Sequence, residues 1–150
     1  MSRRWIFPFA AVVGQADVKE ALLIALVNPK SGGVLVAGEK GSAKSVLVRS
    51  LSQLTLSERI VELPLNVTED QVFGNIDLEQ AMISGKKVFS PGLLARAHEQ
   101  ILYIDEINLL RREVLSGILE VTDRGVNAVE REGVSHQHEV RLTLIGSMNP

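Results

Sequence analysis

A lysine and a serine, Lys44 and Ser45, end a glycine-containing loop that follows the short apolar run Val34 to Ala37. Strand, loop and helix in this order are the context in which the pattern G-x-x-x-x-G-K-[ST] binds phosphate. Backbone N–H groups of such a loop point at a phosphate, and the following helix adds roughly half a positive charge at its N-terminus. Lys44 would contact the β- and γ-phosphates of a nucleotide, and the Ser45 hydroxyl would bind Mg²⁺. The residues predicted to surround the phosphates are Gly38, Glu39, Lys40, Gly41, Ser42, Ala43, Lys44 and Ser45.

One position departs from this pattern, because Ala43 stands where the residue before the lysine is normally glycine. If the backbone needs a positive φ at Ala43, its methyl group costs about 1–2 kcal/mol. An alternative interpretation is an ordinary corner between a strand and a helix, in which Gly38 and Gly41 only permit the turn.

Two adjacent carboxylates, Asp105 and Glu106, end a second apolar run that begins at Ile101. Ligands of open α/β sheets lie beyond the carboxyl ends of the strands, so these acids and the glycine-containing loop are expected at one edge of a sheet. Asp105 would hold Mg²⁺ directly or through water, and Glu106 would activate the attacking water as a general base. The alternative is that both acids are solvated and cap the next helix.

A third polar residue, Asn149, follows the apolar run 142–147. Its amide would orient the water or contact the γ-phosphate, whereas the alternative is a turn formed by the Asn-Pro pair. The chain ends at Pro150, directly after this run. Because a domain rarely ends at the tip of a central strand, we expect residues 1–150 to be the N-terminal fragment of a longer protein.

Strands that alternate with helices would position these residues, which predicts a mostly parallel sheet covered on both faces. Asp17 and Glu20 predict a capping box at the start of the first helix. Glu132-Gly133 predicts a hairpin turn, and residues 66–100 show no clear pattern. The predicted strands are 34–37, 59–63, 101–106 and 140–147, and the clearest later helix is 111–121.

Composition narrows the classes of function. A chain of 150 residues is expected to form one domain, and its net charge of −2 gives no reason to expect nucleic acid or an anionic membrane as a partner. The absence of cysteine excludes disulfides and thiolate metal sites. No apolar run has the length of a signal-peptide core or a membrane span, so we expect a cytoplasmic location.

His136 and His138 alternate along a predicted strand and therefore share a face, with Glu139 adjacent. A metal site would need a third ligand at a suitable spacing, and none is visible. We therefore expect two exposed histidines on a hairpin.

Several segments together are similar to a known family. Ala-Val-Val-Gly-Gln before a helix, the Walker A loop, Ile-Asp-Glu as Walker B and Ser-Met-Asn-Pro as sensor 1 resemble an AAA+ ATPase core. More narrowly, the chain resembles the ATPase (I) subunit of magnesium chelatase. The segments that carry this narrower resemblance are 7–9, 74–79, 89–97, 102–110 and 125–133.

The resemblance implies a P-loop NTPase fold of the AAA+ type, a three-layer sandwich that stops before the last core strand, the arginine finger, sensor 2 and the helical lid. In that strand order the missing strand pairs with Val34 to Ala37, which would be left as an exposed edge. Hairpin inserts would occupy residues around 74–90 and 127–138. ATP and Mg²⁺ would be the cofactors, Val13 and Gly14 would lie near the adenine, and Asn149 would be sensor 1.

The implied function is a motor subunit that couples ATP hydrolysis to metal insertion into a porphyrin-type ring. It would work as a homo-oligomeric ring, with a hexamer expected for the full-length protein, together with the other chelatase subunits. Two alternatives stay open. One is a chaperone-like ATPase that remodels or matures another enzyme, and the other, motivated by Ala43, is a nucleotide-binding assembly module that does not hydrolyse ATP.

Overall fold

The computed structural model describes residues 6–55, 59–86 and 88–150. Its strands are β1 (Val34–Ala37), β2 (Ile60–Glu62), β3 (Asn75–Ile76), β4 (Phe89–Ser90), β5 (Ile101–Ile104), β6 (Val126–Arg131), β7 (Val134–Glu139) and β8 (Thr143–Met148). Its α-helices are α1 (Ala16–Val27), α2 (Lys44–Ser50), α3 (Glu69–Phe73), α4 (Leu78–Ser84), α5 (Leu93–Arg96) and α6 (Arg112–Arg124).

A four-stranded sheet with the order β1-β8-β5-β2 forms the centre, and each neighbouring pair in it is parallel. The predicted parallel sheet is therefore confirmed. Each of the four strands lies within or close to its predicted run. Within the described residues β1 is an edge strand, as expected, and Leu35 on it is 58% exposed.

Both faces of the sheet are covered, because β5 is buried throughout and its side chains alternate between two cores. Ile101 and Tyr103 pack on the side of α1 and α2, whereas Leu102 and Ile104 pack on the side of α3, α5 and α6. Alternation of this kind follows from the period of two along a strand. The three-layer α/β arrangement expected from the sequence is confirmed.

Two antiparallel hairpins, β3–β4 and β6–β7, extend from the layers of the sandwich. The ring of Phe89 on β4 stacks on that of His136 on β7 with a centroid separation of 3.9 Å. His136 and His138 are therefore half-buried. The expectation that both histidines are exposed was wrong, because an aromatic ring from the other hairpin covers them.

The start of α1 also differs from the sequence prediction. The helix begins at Ala16, and its N-cap is Gln15 in the left-handed conformation with no side-chain cap hydrogen bond. Asp17 is therefore an acid inside the first turn, and the predicted capping box with Glu20 was wrong. A capping box does form at α3, where Thr68 and Gln71 exchange hydrogen bonds.

In the part of the chain that the structure describes, no helix combines the length and apolar character needed to span a bilayer.

Candidate nucleotide-binding site

The glycine-containing loop leaves the end of β1 and closes around the side chain of Lys44. The Lys44 ammonium donates hydrogen bonds to the carbonyls of Gly38 at 2.6 Å and Glu39 at 2.7 Å. It also donates to Asn149 Oδ1 at 3.1 Å, just beyond the end of β8. The partners of this cation are therefore all neutral oxygens. An anionic phosphate would form stronger, charge-assisted hydrogen bonds with the Lys44 ammonium than these oxygens do.

Ala43 adopts the left-handed conformation, with φ 62° and ψ 17°. Its carbonyl accepts a 2.9 Å hydrogen bond from Leu47 N–H, so this conformation sets the first turn of α2. The backbone does need a positive φ at Ala43. The methyl group of Ala43 therefore costs about 1–2 kcal/mol that glycine would avoid.

The acids lie at the same end of the sheet as the loop. Ser45 Oγ, at the start of α2, donates a 3.1 Å hydrogen bond to Asp105 Oδ2. Asp105 Oδ1 accepts a second hydrogen bond from Ser147 Oγ on β8. The structure thus brings together Lys44, Ser45, Asp105 and Asn149, which the sequence analysis proposed from three separate strand ends.

Glu106 projects from the same strand end but is exposed. Its backbone is left-handed, with φ 54°, and its N–H group points at Ser147 Oγ at 3.4 Å. An exposed carboxylate is accessible to solvent water, as a general base requires. Its catalytic role stays a prediction.

Asp105 is in an environment that favours its charged form. Burial raises the pKa of its carboxyl, but the hydrogen bond from Ser147 and the nearby hydroxyl of Tyr103 lower it. The Ser45 hydroxyl and the positive charge of Arg49 act in the same direction. The net pKa of Asp105 is therefore below its ordinary value, so the carboxylate is ionised at neutral pH.

The segment expected near the adenine lies beside the loop. Gln15 Nε2 donates a 3.3 Å hydrogen bond to the Ser42 carbonyl, which joins the start of α1 to the loop. Val13 is 95% exposed, and Gly14 has a positive φ of 74°. This places an exposed apolar side chain near the loop, while the contact of Val13 and Gly14 with adenine stays a prediction.

Sequence reasoning missed three residues of this site, namely Gln15, Tyr103 and Ser147. Tyr103 and Ser147 are fully buried, and their hydroxyl oxygens lie 3.0 Å apart. The spacing along the strands could have identified these two residues. Tyr103 is two residues before Asp105, and Ser147 is two residues before Asn149. Residues at i and i+2 of a strand share a face.

The residues present fit Mg²⁺ and a triphosphate. Mg²⁺ prefers oxygen ligands, and protein sites usually provide only one or two carboxylates while water and phosphate complete the shell. The adjacent Ser45 hydroxyl and Asp105 carboxylate are such a donor pair, and Lys44 is a cation within the loop. Among the described residues, no group of three or more His, Cys, Asp or Glu side chains is arranged for a metal ion. These residues therefore do not form a site in which protein side chains alone surround the metal.

A cleft of about 1380 Å³ lies at the opposite end of the sheet and is lined by Glu99, Leu119, Arg141 and Leu142 among others. The candidate site is therefore identified by its side-chain chemistry and not by the size of a cavity.

Comparisons with known proteins agree with this geometry. The family described as AAA domain (dynein-related subfamily) matches residues 33–150. The magnesium-chelatase 38 kDa subunit of Cereibacter sphaeroides is 42% identical, over 96% of this chain and 53% of that protein. The magnesium-chelatase subunit ChlI homolog of Methanocaldococcus jannaschii is 39% identical, over 100% of this chain and 51% of that protein.

Two further matches extend the comparison. The uncharacterized protein Rv2850c of Mycobacterium tuberculosis is 48% identical, over 96% of this chain and 24% of that protein. A cryo-EM-based structure of the complex between subunits BchI and BchD of magnesium chelatase matches with a TM-score of 0.86 and 42% identity, over 98% of this chain and 56% of that chain. The chain spans about half the length of the magnesium-chelatase relatives that it matches.

Proposed function

Because this chain belongs to the AAA domain family, in the group of the magnesium-chelatase ATPase (I) subunits, we propose that it binds ATP with Mg²⁺ and forms the hydrolytic core of a motor protein. The observation that carries this proposal is the pair of hydrogen bonds at one end of the sheet, one from Lys44 to Asn149 and the other from Ser45 to Asp105. Phosphoryl transfer depends on positioning and on compensating negative charge, and these residue types supply both.

Each residue would have a defined part. Lys44 would exchange its carbonyl partners for the β- and γ-phosphate oxygens. Ser45 and Asp105 would hold Mg²⁺, which when bound neutralises negative charge on the phosphates. Glu106 would accept a proton from the attacking water, and Asn149, already in contact with Lys44, would orient that water.

The test is nucleotide binding and ATP turnover of the full-length protein, with Glu106→Gln beside the wild type. Gln keeps the size of the side chain but cannot accept the proton, and general bases contribute about 10²–10⁴ in rate. We expect Glu106→Gln to bind ATP normally and to lose about that much turnover. Glu79→Gln, an exposed acid on α4, is the matched control and should leave turnover unchanged. Equal turnover of Glu106→Gln and wild type would contradict the proposal.

At the level of the whole protein, we propose that hydrolysis drives metal insertion into a porphyrin-type macrocycle. The protein would act in the cytoplasm as a homo-oligomeric ring, hexameric at full length, together with the other chelatase subunits. Support comes from the names of the relatives and from a structural match that is itself a complex of two chelatase subunits. Co-purification of the full-length protein with a large chelatase subunit, followed by a metal-insertion assay, tests this. Stable association with a different enzyme would instead favour the remodelling ATPase.

A second candidate function is favoured by one observation, the left-handed conformation of Ala43 in a loop position that normally has glycine. In this candidate the chain is an assembly module that binds nucleotide without hydrolysing it. The same assay separates the two, because such a module would show ATP binding with no turnover in the wild type.

A further inference from the structure

Ser147 is a buried serine at the meeting point of both acids of the site. Its side chain is fully buried near the end of β8. Its hydroxyl donates to Asp105 Oδ1 and lies 3.0 Å from the Tyr103 hydroxyl. The backbone N–H of Glu106 points at the same oxygen at 3.4 Å. One side chain therefore contacts the residue assigned to the metal and the backbone of the residue assigned to the water.

The direction of these hydrogen bonds follows from the chemistry of the groups. A serine hydroxyl has one donor and two acceptor lone pairs, and an ionised carboxylate only accepts. The Ser147 proton must therefore point to Asp105. Tyr103 then has to donate its own proton to Ser147, and the Glu106 N–H fills the second lone pair. Each hydrogen-bonding capacity of Ser147 Oγ is used once.

The arrangement restricts both acids. Asp105 is held at each carboxylate oxygen, by Ser147 on Oδ1 and by Ser45 on Oδ2, so its carboxylate plane is fixed. Glu106 has a left-handed backbone conformation, which is unfavourable for residues other than glycine. Its N–H group donates a hydrogen bond to the Ser147 oxygen. The buried phenol of Tyr103 fixes the rotamer of Ser147 through the hydrogen bond between the two hydroxyls.

We propose that Ser147 and Tyr103 are positioning residues that aim Asp105 at Mg²⁺ and hold Glu106 at the water, an inference that rests on the proposed function. Neither would touch the nucleotide. Loss of either hydroxyl would free Asp105 to rotate, so the part of nucleotide affinity that depends on Mg²⁺ would fall. Affinity in the absence of metal depends on the backbone of the loop and on Lys44, and would be unchanged.

The experiment is calorimetry of ATP binding to the full-length protein with Mg²⁺ and with a chelator in its place, for wild type, Ser147→Ala and Tyr103→Phe. The gain in affinity that Mg²⁺ gives should fall about tenfold in Ser147→Ala, which corresponds to about 1.4 kcal/mol. It should fall less in Tyr103→Phe, which leaves Ser147 in place. Metal-free affinity should not change in either variant.

Ser50→Ala is the matched control, because Ser50 is also a fully buried serine but donates to the Leu47 carbonyl within α2. It should keep the wild-type gain from Mg²⁺, so a general effect of removing a buried hydroxyl is excluded. Tyr103→Phe removes a single oxygen, so it tests the inference even if Ser147→Ala does not fold. An unchanged gain in both variants, with normal Mg²⁺-dependent binding by wild type, would overturn the inference while leaving the proposed function intact. A wild type that binds no nucleotide would overturn both.

Discussion

The side-chain nitrogen of Asn127 lies 2.9 Å from Nε2 of His138 while it donates a 2.6 Å hydrogen bond to the Phe73 carbonyl. Asn127 is buried, and it faces His138 across the β6–β7 ladder. Because the amide nitrogen can only donate, His138 Nε2 must accept and therefore carries no proton. The proton lies on Nδ1, which points at the Glu139 carbonyl at 3.3 Å.

This contact predicts that His138 is the neutral Nδ1–H tautomer in the folded protein, which nitrogen NMR of the ring detects directly. Asn127→Ala should release that preference and leave the half-buried Phe73 carbonyl without this donor, at a cost of about 1–3 kcal/mol in the free energy of unfolding. Gln137 is an exposed amide on β7, the strand of His138. Gln137→Ala should change neither the tautomer of His138 nor the free energy of unfolding. An Nε2–H tautomer in the wild type would contradict the assignment.

Tyr103 predicts how the protein responds to alkali. It is the single tyrosine of the chain, and burial raises its pKa above the ordinary value near 10. Its contribution to stability is therefore fully present below about pH 10 and is lost as pH rises through the higher folded-state pKa. Tyrosinate absorbance should appear only together with loss of the circular dichroism signal. A phenol that titrates near pH 10 while the protein stays folded would refute this.

The left-handed Ala43 predicts a stabilising substitution. Ala43→Gly should stabilise the folded state by removing about 1–2 kcal/mol of backbone strain. It should also stabilise the unfolded state by about 0.4–1 kcal/mol, because glycine gives the unfolded chain more conformational entropy. The expected net effect is a gain of about 0.5–1 kcal/mol in the free energy of unfolding, measured by urea denaturation. Ala81→Gly in α4 is the control with the opposite sign, because glycine inside a helix costs about 1 kcal/mol. Equal destabilisation by both substitutions would show that Ala43 is not strained.

Gly92 predicts where a methyl group is not tolerated. A Cβ atom there would lie 2.5 Å from the Gly74 nitrogen and 2.5 Å from the Val72 carbonyl oxygen. Both atoms are backbone and cannot turn aside, so Gly92→Ala should lower the free energy of unfolding by about 1–3 kcal/mol. Thermal denaturation measures this, with the exposed neighbour Ser90→Ala as a neutral control. A melting temperature equal to that of the control would mean that the crossing of these segments is looser than the structure has it.

The parts of the site that could be predicted are those that depend on local pattern. Apolar runs predicted β1, β5 and β8, and because ligands of open α/β sheets lie beyond the carboxyl ends of the strands, Lys44 and Asp105 were expected at the same edge. Their common location required no knowledge of side-chain contacts.

The parts that could not be predicted depend on contacts between distant segments. The left-handed backbone at Gln15 and Glu106 accompanies hydrogen bonds to Ser42 and Ser147, which are remote in sequence. The stacking of Phe89 on His136 joins two hairpins that are distant in sequence, and no local pattern predicts that they pack together. Neither relationship leaves a trace in hydrophobic spacing.

The pairing of β5 with β8 places Ile104 beside Gly146, and a Cβ on that glycine would lie 2.9 Å from Ile107 Cδ1. A single inserted or deleted residue in β8 would exchange the two faces of the strand, bringing a bulky group against Ile107 and turning the Ser147 hydroxyl away from the acids. Homologous chains should therefore keep a constant count of residues along β8.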